Sequence, residues 1–391
     1  MIEQVKGTKN ISGEDSLKFL YLKDLFLSNF TQNGYNYVQT PILEYKNLFD
    51  KSIGESSEIV TKQMYELIDK GGRELVLRPE GTASIVRYHS EFNKDTTNKY
   101  SYFGPMFRYE NPQKNRYREF NQAGLEIIGL IDIYTDFQII NDWFNFIQKL
   151  IPGTQLKINT IGSIKDRENY IKVLHNYFTD NKSDLSPESL EKLDNNTLRI
   201  LDSNSDIDSG VINNAPNITD YINTESKNNF DSLLKLLSSI NIGYKIDNSL
   251  VRGLDYYNDL TFEFHTPDNV VIGGGGRYDN LSNILSLGNF KGVGVAFGLE
   301  RIMDNINTPV NSKKCYLLGS NIDNIVKYSK LLDDHNIQYC KPSRLSKENS
   351  QFKEANNLNV TYLINTNEDT IKNLLTKETM DFDIRVLNEN W

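Results

Sequence analysis

Residues 104–129, GPMFRYENPQKNRYREFNQAGLEIIG, admit few folds. Both ends alternate in polarity with the period of a β-strand, whose successive side chains point to opposite faces. In the first strand Met106, Arg108 and Glu110 share a face. In the second, Gln122, Gly124 and Glu126 share one, while Ala123, Leu125 and Ile127 supply the apolar side. Asn111-Pro112 marks a turn, and Lys114, Arg116 and Arg118 load the loop with positive charge. The predicted product is a hairpin with one core face and one face bearing a guanidinium, an amide and a carboxylate. A solvated sheet face would account for it without any function. A ligand both anionic and zwitterionic, such as a nucleotide phosphate beside an amino acid, would account for it as a site.

The 391 residues accommodate two or three domains, and a hydrophobic share of 38% suits a packed core rather than a disordered chain. No run approaches the roughly eighteen apolar residues of a membrane span. The opening MIEQVKGTKN has no secretory-signal pattern. Cys315 and Cys340 have neither metal-ligand spacing nor a disulfide framework, which fits a reducing cytoplasm. His89, His175, His265 and His335 are scattered, as structural or surface histidines are, and no protein-held metal is expected. A net charge of −9 lacks the basic excess of a dedicated nucleic-acid binder, although a groove can still be basic locally.

Ser12 and Asp15 read as a capping box opening a helix, on which Phe19, Leu22, Phe26 and Phe30 recur at helical spacing until Asn33-Gly34. Residues 35–43, interrupted by Pro41, read as one extended edge strand. A short strand at 74–78 runs into Arg78-Pro79-Glu80-Gly81-Thr82, with Thr82 as N-cap of the next helix and Glu80 in the turn. From 161 to 241 apolar residues take helical spacing, and between Asp180 and Asp231 eleven acids face four bases. Beyond a polar linker to Lys313 the tail alternates. Strands are predicted at 315–319, 337–341, 360–365 and 382–387, and helices around 325–332, 348–356 and 370–375. That is the pattern of a small α/β domain; its eleven Lys and Arg balance eleven Asp and Glu.

Three later segments carry chemistry. Residues 250–257, LVRGLDYY, set Arg252 and the pair Tyr256-Tyr257 before a strand at 260–264. Glycines 273–276 lead into Arg277-Tyr278-Asp279 and let backbone approach a ligand closely, though such runs are commonly plain loops. Residues 292–302, GVGVAFGLERI, are spaced G-x-G-x-x-x-G and so are no dinucleotide fingerprint. Val293, Val295 and Phe297 alternate as a strand, and a helix starts near Gly298 with Arg301 in its first turn. A cation there opposes the helix dipole, which makes an anionic partner expected.

FRYE with its loop, Arg116, Gln122 and Glu126 resembles motif 2 of the class II aminoacyl-tRNA synthetases in its histidyl form. The stretch around Pro41 resembles motif 1, whose proline lies in the dimer interface, and 292–302 resembles motif 3. Residues 250–257 and 273–279 resemble the two histidine-specific motifs, and LRILDS (198–203) with NAPNITDYINTES (214–226) the insertion of bacterial histidyl-tRNA synthetases. The resemblance implies an α+β fold. A class II antiparallel-sheet catalytic domain is split into 1–160 and 242–308 by a helical insertion at 161–241, and an anticodon-binding-like α/β domain occupies 313–391. The tail departs from the family in lacking the glycine-rich turn near Ser343 and a full closing helix before Trp391.

The resemblance also implies activation of histidine with ATP and its transfer to the 3′ end of tRNA(His), by a cytoplasmic homodimer without membrane association. Arg108 and Arg252 are expected on the α-phosphate, and Arg116 and Arg301 on the outer phosphates. Glu80, Thr82 and Gln122 are expected around the ammonium and carboxylate of histidine, and Glu126, Tyr257 and Tyr278 around its imidazole. Mg²⁺ is expected on the ATP phosphates. A paralogue of the same fold, the regulatory subunit of ATP phosphoribosyltransferase, binds histidine without charging tRNA and is the alternative. Retained arginines favour the enzyme; acidity and the short tail favour the paralogue.

Overall fold

Helix α1 (Gly13–Gln32) buries Leu22, Phe26 and Phe30, the stripe its helical spacing predicts. The computed structural model describes residues 2–54, 57, 59–93, 95–111, 116–203, 205–251, 254, 256–307, 315–358 and 360–388. They divide into two compact units, Met1–Asn307 and Thr308–Trp391.

In the first unit α1 is followed by β1 (Asn36–Tyr37), β2 (Leu43–Tyr45), α2 (Lys46–Ile53), β3 (Tyr65–Ile68), β4 (Glu74–Leu77), α3 (Thr82–Phe92), β5 (Asn98–Phe107), β6 (Glu119–Gly129), α4 (Ile133–Leu150) and β7 (Gln155–Thr160). Four helices come next: α5 (Ile164–Asp180), α6 (Pro187–Asn195), α7 (Asp206–Asn213) and α8 (Thr224–Ser239). Then follow β8 (Tyr244–Ile246), β9 (Asn258–His265), β10 (Val271–Arg277), α9 (Leu281–Ile284), β11 (Lys291–Gly298) and α10 (Leu299–Met303).

One eight-stranded sheet organises this unit, in the order β1-β5-β6-β11-β10-β9-β7-β8. Its outermost pairs, β1–β5 and β7–β8, are parallel, and every pair between is antiparallel. Alternation divides it into two buried faces. Ala123, Leu125 and Ile127 of β6, Val293, Val295 and Phe297 of β11 and Phe262 and Phe264 of β9 pack beneath α1, α4 and α8. Trp143 of α4 stacks on Phe297 with centroids 3.9 Å apart. The opposite face gathers Tyr100, Tyr102 and Met106 of β5 with α3, the helices after β7, and Tyr256, Tyr257 and Tyr278. The polar face is therefore buried rather than solvated.

Several local expectations are corrected. Ser12 is the N-cap of α1 but its side chain makes no capping bond. Capping boxes close α4 and α5 instead, through Asp132 with Thr135 and Ser163 with Asp166. Residues 35–43 form no single strand: β1 joins the large sheet, whereas β2 enters a separate three-stranded sheet, β2-β4-β3. Strand β5 ends at Phe107, and Glu110 turns back to donate its N–H to Arg108 O, so Glu110 leaves the face it was expected to share with Arg108. Pro112 and Lys114 lie outside the described residues.

The second unit holds β12 (Cys315–Leu318), α11 (Ile322–Asp334), β13 (Tyr339–Cys340), α12 (Glu348–Asn357), β14 (Tyr362–Asn365), β15 (Thr370–Asn373), β16 (Thr379–Asp381) and α13 (Ile384–Asn388). Its sheet runs β13-β12-β14-β15-β16. Two predictions fail here. Residues 370–373 form a strand and 374–375 a turn rather than a helix, because Asp369 takes a left-handed backbone (φ 56°) and closes a hairpin that sets Ile371 against Ile364. The predicted strand at 382–387 is absent: 382–383 are irregular and a helix begins at Ile384; the Asp383 carboxylate accepts the Arg385 N–H at 2.9 Å, and Leu387 is buried. Lys313 and Trp391 lie outside the described residues.

Candidate active site

Glu126 is fully buried on the face of β6 opposite Leu125 and Ile127. Its Oε1 accepts from Thr82 Oγ1 at 2.8 Å and its Oε2 from the Tyr278 hydroxyl at 2.6 Å. Both donors are neutral, so burial dominates and pushes its pKa up to about 8 against those two bonds, with Glu80 adding to the rise. β11 makes room for the carboxylate. Gly294 pairs with Glu126 across the ladder, and a Cβ there would lie 1.6 Å from Oε2. Gly292 does the same for Tyr278, whose ring a Cβ would meet at 2.0 Å.

The turn before α3 supplies the neighbouring wall. The sequence predicts Thr82 as N-cap; the structure places Gly81 there and Thr82 in the first turn. Glu80 does the capping, accepting the N–H of Thr82 at 2.6 Å and of Ala83 at 2.9 Å. Burial raises its pKa, opposed by those two amides and by Arg108. Arg78 staples the turn in place: Nε donates to Pro105 O at 3.0 Å and Nη1 to Thr40 O at 2.9 Å. A carboxylate holding two helix amides keeps lone pairs for a ligand cation.

Gln122 stands four residues before Glu126, about 13 Å along the same face. Its Oε1 is buried and meets no donor among the described residues. Tyr257 is buried and packs against Tyr256, with centroids 4.7 Å apart. The sequence reading missed Tyr102 and gave Tyr256 no role beyond membership of the tyrosine pair. The Tyr102 and Tyr256 hydroxyls are buried and meet no hydrogen-bond partner among the described residues. Tyr102 could have been found by continuing the Arg108–Met106–Gly104 alternation one step further.

Arginines occupy the other side. Arg108 Nε donates to Pro79 O at 2.9 Å, and its guanidinium lies over the Phe120 ring. Arg301 donates from Nη1 to Val271 O at 2.8 Å. Its pKa is lowered, first by burial and then by the charge of Arg116, with Arg108 adding and Glu110 and Glu263 opposing. Three mutually repelling guanidiniums suit a polyanion. Helix α10 spans five residues, so a carbonyl contact rather than a long helix dipole orients Arg301. Arg252 lies outside the described residues.

A buried cluster of carboxylates and hydroxyls on a mainly antiparallel sheet, with arginines nearby, belongs to the class II aminoacyl-tRNA synthetase architecture. The family model described as "Histidyl-tRNA synthetase" matches residues 7–302. A chloroplastic histidine–tRNA ligase of Porphyra purpurea is 39% identical over 332 residues, 82% of this chain and 77% of the relative. A histidine–tRNA ligase of Streptococcus pneumoniae (strain CGSP14) is 34% identical over 418 aligned positions, covering 100% of this chain and 97% of the relative. Among solved structures, apo histidyl-tRNA synthetase of S. aureus superimposes with a TM-score of 0.74 at 29% identity, covering 100% of this chain and 99% of that one. The chain belongs to the histidyl-tRNA synthetase family.

Proposed function

We propose that this chain activates histidine with ATP and transfers the histidyl group to the 3′ end of tRNA(His), using the pocket around Glu126. The observation that carries the assignment of the pocket is the buried carboxylate of Glu126, held by two hydroxyls opposite the glycine floor of β11. Such a group discriminates for a ring nitrogen, because an analogue without one forgoes a hydrogen bond to the buried carboxyl group. Glu126, Tyr257 and Tyr278 orient the imidazole. Gln122 Oε1, an unsatisfied acceptor, receives the ammonium beside Glu80, and Thr82 lines the same end.

Arg108 and Arg252 clamp the α-phosphate while the histidine carboxylate attacks it in line and pyrophosphate leaves. Arg116 and Arg301 hold the outer phosphates. Mg²⁺ arrives on the ATP as part of that substrate. The ribose hydroxyl of tRNA then attacks the adenylate. Positioning and charge stabilisation carry both steps.

Residues 161–241 serve as the insertion that leans on the tRNA acceptor arm, and 313–391 as the anticodon-binding part. A homodimer fits the apolar side chains left exposed on and beside β1–β3, namely Tyr37, Ile42, Leu43, Tyr45, Leu67 and Ile68. Among the described residues no helix is long and apolar enough to cross a membrane.

Histidine-dependent ATP–pyrophosphate exchange followed by tRNA charging tests the reading. Exchange and charging support it. Histidine binding with neither activity would instead assign the chain to the histidine-binding regulatory subunits of ATP phosphoribosyltransferase.

A further inference from the structure

The segment carrying Tyr257 is gripped from both sides by the neck of the helical insertion. Arg167, in the first turn of α5, donates from Nη1 to the Tyr257 carbonyl at 3.4 Å. Ser226, in the first turn of α8, donates to Asp259 Oδ1 at 2.6 Å. Asp259 has a left-handed backbone, φ 47°, which a non-glycine residue holds only when its surroundings enforce it. Its own backbone ties to the insertion's entry: its N–H donates to Gly162 O at 2.8 Å, and its carbonyl accepts from Ile161 N at 2.7 Å.

The two necks are also tied to each other. Asn223, N-cap of α8, donates to Asp166 Oδ2 at 2.5 Å, and that oxygen accepts the Ser163 hydroxyl at 2.8 Å. Beyond Asp259 the chain of bonds reaches the second tyrosine. Asn258 Nδ2 donates to Asp259 Oδ2 at 2.9 Å, and Asn258 Oδ1 accepts the Asp279 N–H at 2.7 Å, one residue past Tyr278. Tyr278 in turn donates to Glu126.

We propose that Arg167, Ser226 and Asp259 are positioning residues through which the seat of the helical insertion sets the amino-acid pocket. None needs to touch histidine. They fix Tyr257 and, through Asn258, the loop bearing Tyr278. The insertion thereby governs histidine affinity as well as any contact with tRNA. The inference rests on the histidine reading of the pocket.

The test uses the full-length chain and histidine-dependent ATP–pyrophosphate exchange, with KM measured separately for histidine and for ATP. Ser226→Ala removes one donor to a carboxylate. Asp259→Asn keeps a residue tolerant of left-handed backbone but leaves one of two donors facing an amide N–H. Arg167→Met, at a half-buried position, preserves the packing and removes the carbonyl contact. Each should raise the histidine KM by about tenfold, the scale of one lost charge-assisted bond, with ATP KM and kcat within about twofold. Ser226→Thr, which retains the hydroxyl, should restore the histidine KM. An unchanged histidine KM with impaired tRNA charging would overturn the proposal, making the insertion a tRNA contact only. A parallel rise in both KM values with lowered thermal stability would overturn it as well, since general loosening then explains the effect. Absence of histidine-dependent exchange in the wild-type chain would sink the pocket reading itself and is recognisable as such.

Discussion

Replacing Glu126 by Gln separates the charge of this side chain from its shape. The wild-type carboxylate is fully buried, takes bonds from the neutral hydroxyls of Thr82 and Tyr278, and has its pKa pushed from 4.5 to about 8 by burial. The native state therefore holds this proton to higher pH than the unfolded chain does. Its contribution to stability is intact below pH 4.5 and is lost as pH rises through about 8. Between pH 6 and pH 9 the loss works out at roughly 2–3 kcal/mol. Glutamine does not titrate, and both hydroxyls can rotate to accept its N–H₂ or donate to its carbonyl. The two proteins should be similarly stable at low pH, and the Gln variant should become the more stable at pH 9. Denaturant titrations at several pH values, read from Trp143 stacked on Phe297 in a Trp391→Phe background, measure the difference. Histidine KM in pyrophosphate exchange should rise about 10–100-fold while ATP KM holds, because only the imidazole contact is lost. Parallel pH–stability curves would refute the desolvation argument, and equal losses for histidine and ATP would make Glu126 a structural residue.

Gly294→Ala should raise the histidine KM and cost about 1–3 kcal/mol in thermal or denaturant unfolding, since its Cβ would meet Glu126 Oε2 at 1.6 Å. Arg252→Ala should slow adenylate formation by about 100-fold or more in pyrophosphate exchange, the scale of losing a preorganised charge donor; near wild-type rates would end its assigned role. Burial lowers the pKa of His89 to about 4, beneath its ordinary 6.5. The stability it confers is present above pH 6.5 and lost as pH falls through 4, so His89→Gln should flatten the acid limb of the unfolding curve followed by circular dichroism.

Much of this architecture was legible because alternation and helical spacing are local. The apolar face of β6, Ala123, Leu125 and Ile127, and the buried stripe of α1 could be read directly. The two misread tail segments show where local signals run out. Ile371, Leu374 and Leu375 suit a helix by spacing, but the left-handed turn at Asp369 pairs 370–373 with β14, and hydrogen bonding across a hairpin overrides so short a pattern. Glu80 was legible as a carboxylate in the turn before α3 but not as the cap of that helix, because Thr82 carries the stronger N-cap signal.

Strand register is harder still to read, and it decides the site. Nothing near Glu126 in the chain says that Gly294 will face it, since the two are joined only by the pairing of β6 with β11. A slip of one residue would set Val293 or Val295 there and close the space for the carboxylate. The apolar alternation on the other face prevents the slip, because Val293, Val295 and Phe297 must meet the core that holds Trp143. The room for the Glu126 carboxylate is thus enforced from the far side of the sheet. The same logic applies to Ser226 and Asp259, 33 positions apart, whose bond was invisible until α8 and β9 were placed side by side.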